Sequence, residues 1–348
     1  MNINPRLAPN SHATMADVAQ LAGVSLKSVS RVVNREPHVS EKLRLKVEAA
    51  IAELSFVPDQ AARSLAGARS FTIGLILDNP SPNYTMKLQA GVYRACTAHQ
   101  YHLRIDQIDS MRSEVELTAL FEAMLRNTRC DGFILTPPLS DNRLLLEFFD
   151  QRGVMYVRIA PDLEHDRGAG VAIDDAAAAA LVAQHFWANG HRRFGIVNGP
   201  LDYGEARSRR EGFLAGLAAL GATEPVAEAD GNFLFEGGIE AGRKLLAGPN
   251  RPTAIFAGND DSAAGTMVAC LEQGLAVPRD ISICGFDDSW VAKSVWPYLT
   301  TIYQPIEEMG FAAAELLIER EPDQRKLLML DFHLVERDSV AQAPPAID

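Results

Sequence analysis

The sequence predicts a small all-α helix-turn-helix headpiece followed by an α/β body built on two parallel, doubly wound sheets. Three observations predict it. At 348 residues the chain is roughly two to three times ordinary domain size. Its first 70 residues hold nine Lys and Arg against six Asp and Glu, a charge of +3, while the remainder holds 24 against 39, a charge of −15. From Phe71 onward, short β-branched or apolar runs alternate with longer helical stretches, the pattern of parallel strands joined by crossover helices.

Thr14 is placed to accept from an unpaired N–H of a first helix, with Asp17 adding negative charge at the positive dipole end. Val18, Leu21 and Ala22 recur at helical spacing, Gly23 permits a tight turn, and Ser25 supplies a cap for Leu26 to Val33. Ser40 caps a third helix from about Glu41 to Leu54, whose apolar positions close a miniature core. The second helix turns Val29, Val32 and Val33 inward and presents Leu26, Lys27, Ser30, Arg31 and Asn34 outward. A DNA major groove admits one α-helix, and Lys or Arg donates to guanine O6 and N7. Thr14, Ser25, Ser28, Ser30, Asn34, His38 and Ser40 are candidate phosphate contacts, which position a helix without reading bases.

Thr14 through Gly67, TMADVAQLAGVSLKSVSRVVNREPHVSEKLRLKVEAAIAELSFVPDQAARSLAG, resembles the DNA-binding headpiece and hinge of the LacI/GalR family of bacterial transcriptional regulators. The resemblance implies that Leu26, Lys27 and Arg31 read bases. It also implies a hinge helix over Pro58 to Ala66, with Arg63 on phosphate and Leu65 as an apolar wedge in the minor groove. Asp59 stands where many relatives carry Asn, and suits the N-cap of that helix. A segment this short is marginal alone, so it should order only on kinked operator DNA.

In the body, strands are predicted at Phe71 to Leu77, His102 to Asp106, Gly132 to Thr136, Met155 to Ile159, Gly170 to Ile173, Phe194 to Asn198, Ala254 to Ala257 and Ile281 to Phe286. A last one is placed at Phe332 to Glu336. Ligands of open α/β sheets bind beyond the carboxyl ends of strands. That draws attention to Asp78, Asn79, Thr136, Pro137, Ala160, Asn198, Asn259, Asp260, Asp287 and Asp288, any one of which could instead cap the following helix.

The LacI/GalR resemblance continues over the body through Asp174-Asp175, Gly190-His191-Arg192-Arg193, Gly199-Pro200-Leu201, Arg209-Arg210-Glu211-Gly212-Phe213, Gly258-Asn259-Asp260, Gly285-Phe286-Asp287-Asp288 and Gln304-Pro305. It implies a two-lobed, periplasmic-binding-protein-like core holding a small effector, expected to be a sugar or sugar derivative. The implied contacts are Arg209, Asn259 and Asp287, with Phe233 as a stacking aromatic and Asp78 and Tyr84 from the first lobe. Hydroxyls donate to Asp and accept from Arg and Asn. Ala160 departs from the Asp common in sugar-responsive relatives, which weakens a lactose-like or purine-like specificity. The expected division is a headpiece at 1–57, a hinge at 58–70 and a core at 71–348. Within the core, the first lobe is expected at about 71–168 and 305–330, the second at about 169–304 and 331–340.

These readings give a DNA-binding repressor controlled by a small effector; a sugar-binding or chemoreceptor-type module without DNA function is the rival. No phosphate loop, complete dinucleotide fingerprint, HExxH or GxSxG motif occurs, so no enzyme activity and no cofactor are expected. Cys96, Cys130, Cys270 and Cys284 lack metal-site spacing, and His99 with His102 lacks companions, so no metal is expected. The longest uninterrupted apolar run, Ala176 to Ala183, is far below the roughly 20 residues of a membrane span. Met1 to Ala13 holds no signal-like stretch, which makes the cytoplasm the expected compartment. The tail from Val340 contains Pro344-Pro345 and no heptads, so a homodimer on a pseudo-palindromic operator is expected rather than a tetramer.

Overall fold

The computed structural model describes residues 13–33, 39–56, 69–127, 129–319 and 326–345. The chain divides into a unit ending at Phe71 and a larger one beginning at Thr72.

The small unit consists of α1 (Met15–Ala22), α2 (Leu26–Val33) and α3 (Glu41–Glu53). Thr14 closes a capping box with Asp17, each side chain bonded to the other's backbone N–H. Gly23 ends α1 at φ 61°, in the left-handed region where a side chain is strained. Ser25 accepts from the Ser28 N–H and Ser40 from the Leu43 N–H, so both later helices start where the sequence predicts. Val18, Ala22, Val29, Val32, Val47, Ala50 and Phe56 bury together as the core.

The large unit carries two parallel sheets and a short antiparallel pair. The first sheet has the order β11 (Leu327–Met329), β5 (Ala169–Ala172), β4 (Tyr156–Ile159), β3 (Gly132–Leu135), β1 (Thr72–Leu77), β2 (His102–Gln107). The second has the order β7 (Ala227–Asp230), β6 (Phe194–Asn198), β8 (Ala254–Ala257), β9 (Ser282–Cys284). In both, the first strand of the chain lies inside its sheet, with the second and third strands on either side. The crevices between β1 and β3 and between β6 and β8 are therefore topological switch points. β10 (Thr301–Tyr303) pairs antiparallel with β12 (His333–Val335).

Helices α4 (Pro82–Ala98), α5 (Glu114–Asn127), α6 (Arg143–Arg152) and α11 (Ile306–Glu319) accompany the first sheet. The second is accompanied by α7 (Asp175–Ala188), α8 (Gly204–Ala219), α9 (Phe235–Leu246) and α10 (Asp260–Glu272). α4 and α11 cross closely because Gly91 has no side chain; a Cβ there would lie 1.8 Å from the Glu307 carbonyl oxygen.

One expected boundary is corrected. The run at Ala169–Ala172, assigned by sequence to the second lobe, pairs with β4 and β11 in the first sheet. Its apolar character fixed it as a strand, but partner choice depends on residues far away in the chain. The chain accordingly changes lobe after β5, between β10 and α11, and between β11 and β12.

His191, which is fully buried, ties the chain's end to the second lobe. One ring nitrogen pairs with Thr253 Oγ1 at 3.0 Å, and the other meets Ser282 Oγ and the Ala341 carbonyl. Burial drives this imidazole down to about 4 from its ordinary 6.5. The unfolded chain thus takes up a proton that the folded chain excludes, and stability is lost as pH falls from about 6.5 toward 4. The full effect is about 3 kcal/mol. Thermal unfolding of the wild type should show this acid slope, and His191→Gln should flatten it; an unchanged slope in the variant would sink the assignment.

Candidate functional site

In the large unit, the C-terminal ends of β1, β6 and β8 bring side chains from both lobes around one small cavity. Asn79, Ser81 and Tyr84 come from the first lobe, and Glu205, Arg209, Phe233, Asn259 and Asp287 from the second. Its free space is only about 10 Å³, far below the roughly 300–1,000 Å³ of drug-sized ligand pockets, so a ligand enters only as the lobes part.

Arg209, on α8, is its hub. Nε donates to Asp175 at 2.8 Å, one terminal nitrogen donates to the Gly258 carbonyl at 2.8 Å, and the other donates to Gln304 Oε1 at 3.2 Å. The guanidinium stacks 3.7 Å from the Phe286 ring centroid. Asp175 begins α7 just after the first lobe crossover, and Gln304 lies in the second. The guanidinium therefore joins the cavity to two crossover segments.

Asp287 is buried, with its backbone at φ 110°; its Oδ1 has no hydrogen-bond partner and lies 4.0 Å from Arg209. Burial pushes its carboxyl well up, against the pull of Arg209. Glu205 is also buried, its Oε2 without a partner, and burial raises it to about 8. Tyr84 is buried as well, which pushes its phenol up.

Phe233 forms one wall, 3% exposed and at φ 59°. A Cβ on Gly199 would sit 2.2 Å from its ring, so the glycine of the Gly199-Pro200-Leu201 landmark makes the room. Tyr203 meets it edge-on at 6.3 Å.

Five of the six sequence-predicted contacts come together, though not all in the expected role. Asn259 is the N-cap of α10; its oxygen accepts from the Ser262 N–H and hydroxyl, and its nitrogen donates to the Phe233 carbonyl. It shapes the wall while most of its hydrogen bonding is already taken up. Asp78 turns away: its carboxylate accepts from the Ser110 N–H at 2.8 Å, and the adjacent Asn79 lines the cavity instead. Ala160, at φ 45°, lines a larger neighbouring cavity with Asp162, Asp174, Asp175 and Glu205. Asp260 accepts from the Ser289 N–H and the Thr301 hydroxyl, a structural tie. Sequence reasoning passed over Glu205, although it lies four residues before Arg209 and hence on the same helix face.

Across the cleft, Ser81 Oγ and Asn83 Nδ2 donate to Asp261 at 2.7 and 2.6 Å. Trp290 Nε1 donates to Asn83 Oδ1, and Lys87 Nζ donates to the carbonyls of Asp287 and Asp288. These contacts hold the two lobes closed.

In the small unit, Leu26 is 53% exposed and Lys27 is exposed at the start of α2, while Arg31 and Ser30 are half-buried. The Thr14 hydroxyl donates to Asp17 at 2.7 Å, and Ser25 pairs with Ser28 at 2.9 Å, so capping already occupies these groups. Asn34, His38, Arg63, Leu65 and the hinge segment from Asp59 to Ala66 lie outside the described residues.

A helix-turn-helix unit and a two-lobed effector-binding core define a ligand-responsive DNA-binding regulator. Residues 14–59 match the model of bacterial regulatory proteins of the lacI family, and residues 183–340 match that of the periplasmic binding protein-like domain. The chain is 36% identical to the ribose operon repressor of Escherichia coli (strain K12), over 94% of this chain and 99% of that protein. It is 32% identical to the HTH-type transcriptional repressor PurR of Edwardsiella ictaluri (strain 93-146), over 95% and 98%. The lac repressor dimer bound to operator and the anti-inducer ONPF superposes with a TM-score of 0.74 at 29% identity, covering 95% of this chain and all of that one. The chain belongs to the lacI family of bacterial regulatory proteins, and it is a DNA-binding transcriptional regulator controlled by a small effector. Among the described residues, no helix is long and apolar enough to cross a membrane.

Proposed function

We propose that this chain is a cytoplasmic, homodimeric, non-catalytic repressor whose α2 reads operator half-sites and whose cleft holds a sugar or sugar derivative. The observation that carries the reading is the buried polar cavity at the strand ends of both lobes, in the same chain as a helix presenting Leu26 and Lys27 to solvent. Lys27 and Arg31 are the guanine-directed donors, and Leu26 offers apolar contact to a thymine methyl. One headpiece covers a half-site, so two copies are needed on a two-fold operator, with Leu65 of each entering the minor groove at its centre. A sugar-type effector is supported by the acceptor and donor groups lining the cavity and by the likeness to a repressor named for a ribose operon.

Selection from random DNA tests the readers. Arg31→Ala should lose about 1–3 kcal/mol on the selected site and relax preference at one position per half-site. Lys27→Ala should change the preferred base at another. Equal weakening on specific and random DNA, or an identical selected motif, would show that these residues touch only phosphate. Operator binding measured across mono- and disaccharides and sugar phosphates then identifies the effector and its sign.

A further inference from the structure

We propose that the effector carries an amine, and that Glu205 and Asp287 hold its cation. This rests on the reading of the cleft as a sugar-type effector site. The cavity's donors are largely engaged before any ligand arrives. Arg209 already donates from all three nitrogens, to Asp175, the Gly258 carbonyl and Gln304. Asn259 donates to the Phe233 carbonyl, and Ser81 donates to Asp261. Lys87 is directed at backbone carbonyls. Two buried acceptors are left unmet: Glu205 Oε2 and Asp287 Oδ1, in residues at most 7% exposed, have no hydrogen-bond partner.

Charge points the same way. The cleft sets Glu205, Asp287 and Asp175 against one guanidinium, whose short contact is to Asp175 at 2.8 Å while Asp287 is at 4.0 Å. The adjoining cavity shares Glu205 and adds Asp162 and Asp174, with Arg207 paired to Asp162 at 2.6 Å. With a neutral polyol, burial keeps Glu205 and Asp287 toward their protonated forms, because two buried carboxylates without a cation are costly. An ammonium donates three hydrogen bonds and cancels a charge. Burial raising Glu205 to about 8, despite Arg209, agrees with a carboxylate lacking its counter-ion.

Isothermal titration calorimetry on the full chain tests this with matched pairs: D-glucosamine and D-glucose, D-galactosamine and D-galactose, D-mannosamine and D-mannose, with D-ribose alongside. In at least one pair the amine should bind about tenfold or more tighter than its neutral partner, the scale of one charged hydrogen bond. Glu205→Gln, which keeps shape and removes charge, should erase that preference, bringing the amine to within about twofold of its neutral partner. The ranking in the wild type needs no variant, so a misfolded Glu205→Gln would not blunt it. Neutral sugars, D-ribose included, binding as well as or better than every amine would overturn the amine inference and leave the sugar reading intact. Preference surviving in a folded Glu205→Gln would overturn the role of Glu205. No binding by any member of the panel would overturn both readings.

Discussion

Arg209→Ala is expected to destabilise the core by about 3–5 kcal/mol, because it leaves Asp175 as a buried charge without its partner. From sequence alone, Arg209 is a cleft residue whose removal spares stability and abolishes only the ligand response. The structure gives it three hydrogen-bond partners and a stacked ring, two of the partners in segments where the chain changes lobe. Truncation therefore removes a joint of the fold along with any ligand contact. Arg209→Lys should recover only part of the loss, since an ammonium cannot reproduce the planar fork that reaches Asp175, Gly258 and Gln304 together. Urea unfolding followed by tryptophan fluorescence measures this directly. A loss below about 1 kcal/mol for Arg209→Ala would reject the hub.

Asp261→Ala should have the second largest effect, on the closed arrangement of the lobes rather than on their folding. It deletes the acceptor for both Ser81 and Asn83, two charge-assisted bonds that span the cleft. At roughly 1.5–3 kcal/mol each, their loss disfavours closure by about 3 kcal/mol or more. A ligand gripped only when closed then binds roughly 100-fold more weakly. Once the cleft opens, Ser81 and Asn83 can bond water, so the unfolding midpoint should move little. Small-angle scattering should report a larger radius of gyration for the unliganded variant. An unchanged radius together with unchanged effector affinity would show that the latch does not govern closure.

Much of this protein was legible in the sequence because its signals are local. Thr14, Ser25 and Ser40 cap helices where hydroxyls precede apolar periodicity, and Gly23 supplies the left-handed turn between α1 and α2. Alternating strands and helices announced parallel sheets, the strand ends marked Asn259 and Asp287, and the LacI/GalR resemblance added Arg209 to the same cleft. Short and partly exposed strands were harder: β7, with its Glu228 and Asp230, lacks an apolar run, and β11 is only the three residues Leu327–Met329.

Only tertiary structure decided which groups were free to act. Hydrogen-bond partners distant in sequence tied Asn259 to the Phe233 carbonyl, directed Asp78 to Ser110, and made Arg209 a hub. The same packing left Glu205 and Asp287 with unmet oxygens. It also put β5 in the first sheet rather than the second. A residue's type and periodicity determine what it can donate, accept or bury, and the sequence by itself supplies those. Whether a donor is already engaged depends on contacts across tens to hundreds of residues, and those exist only once the chain has folded.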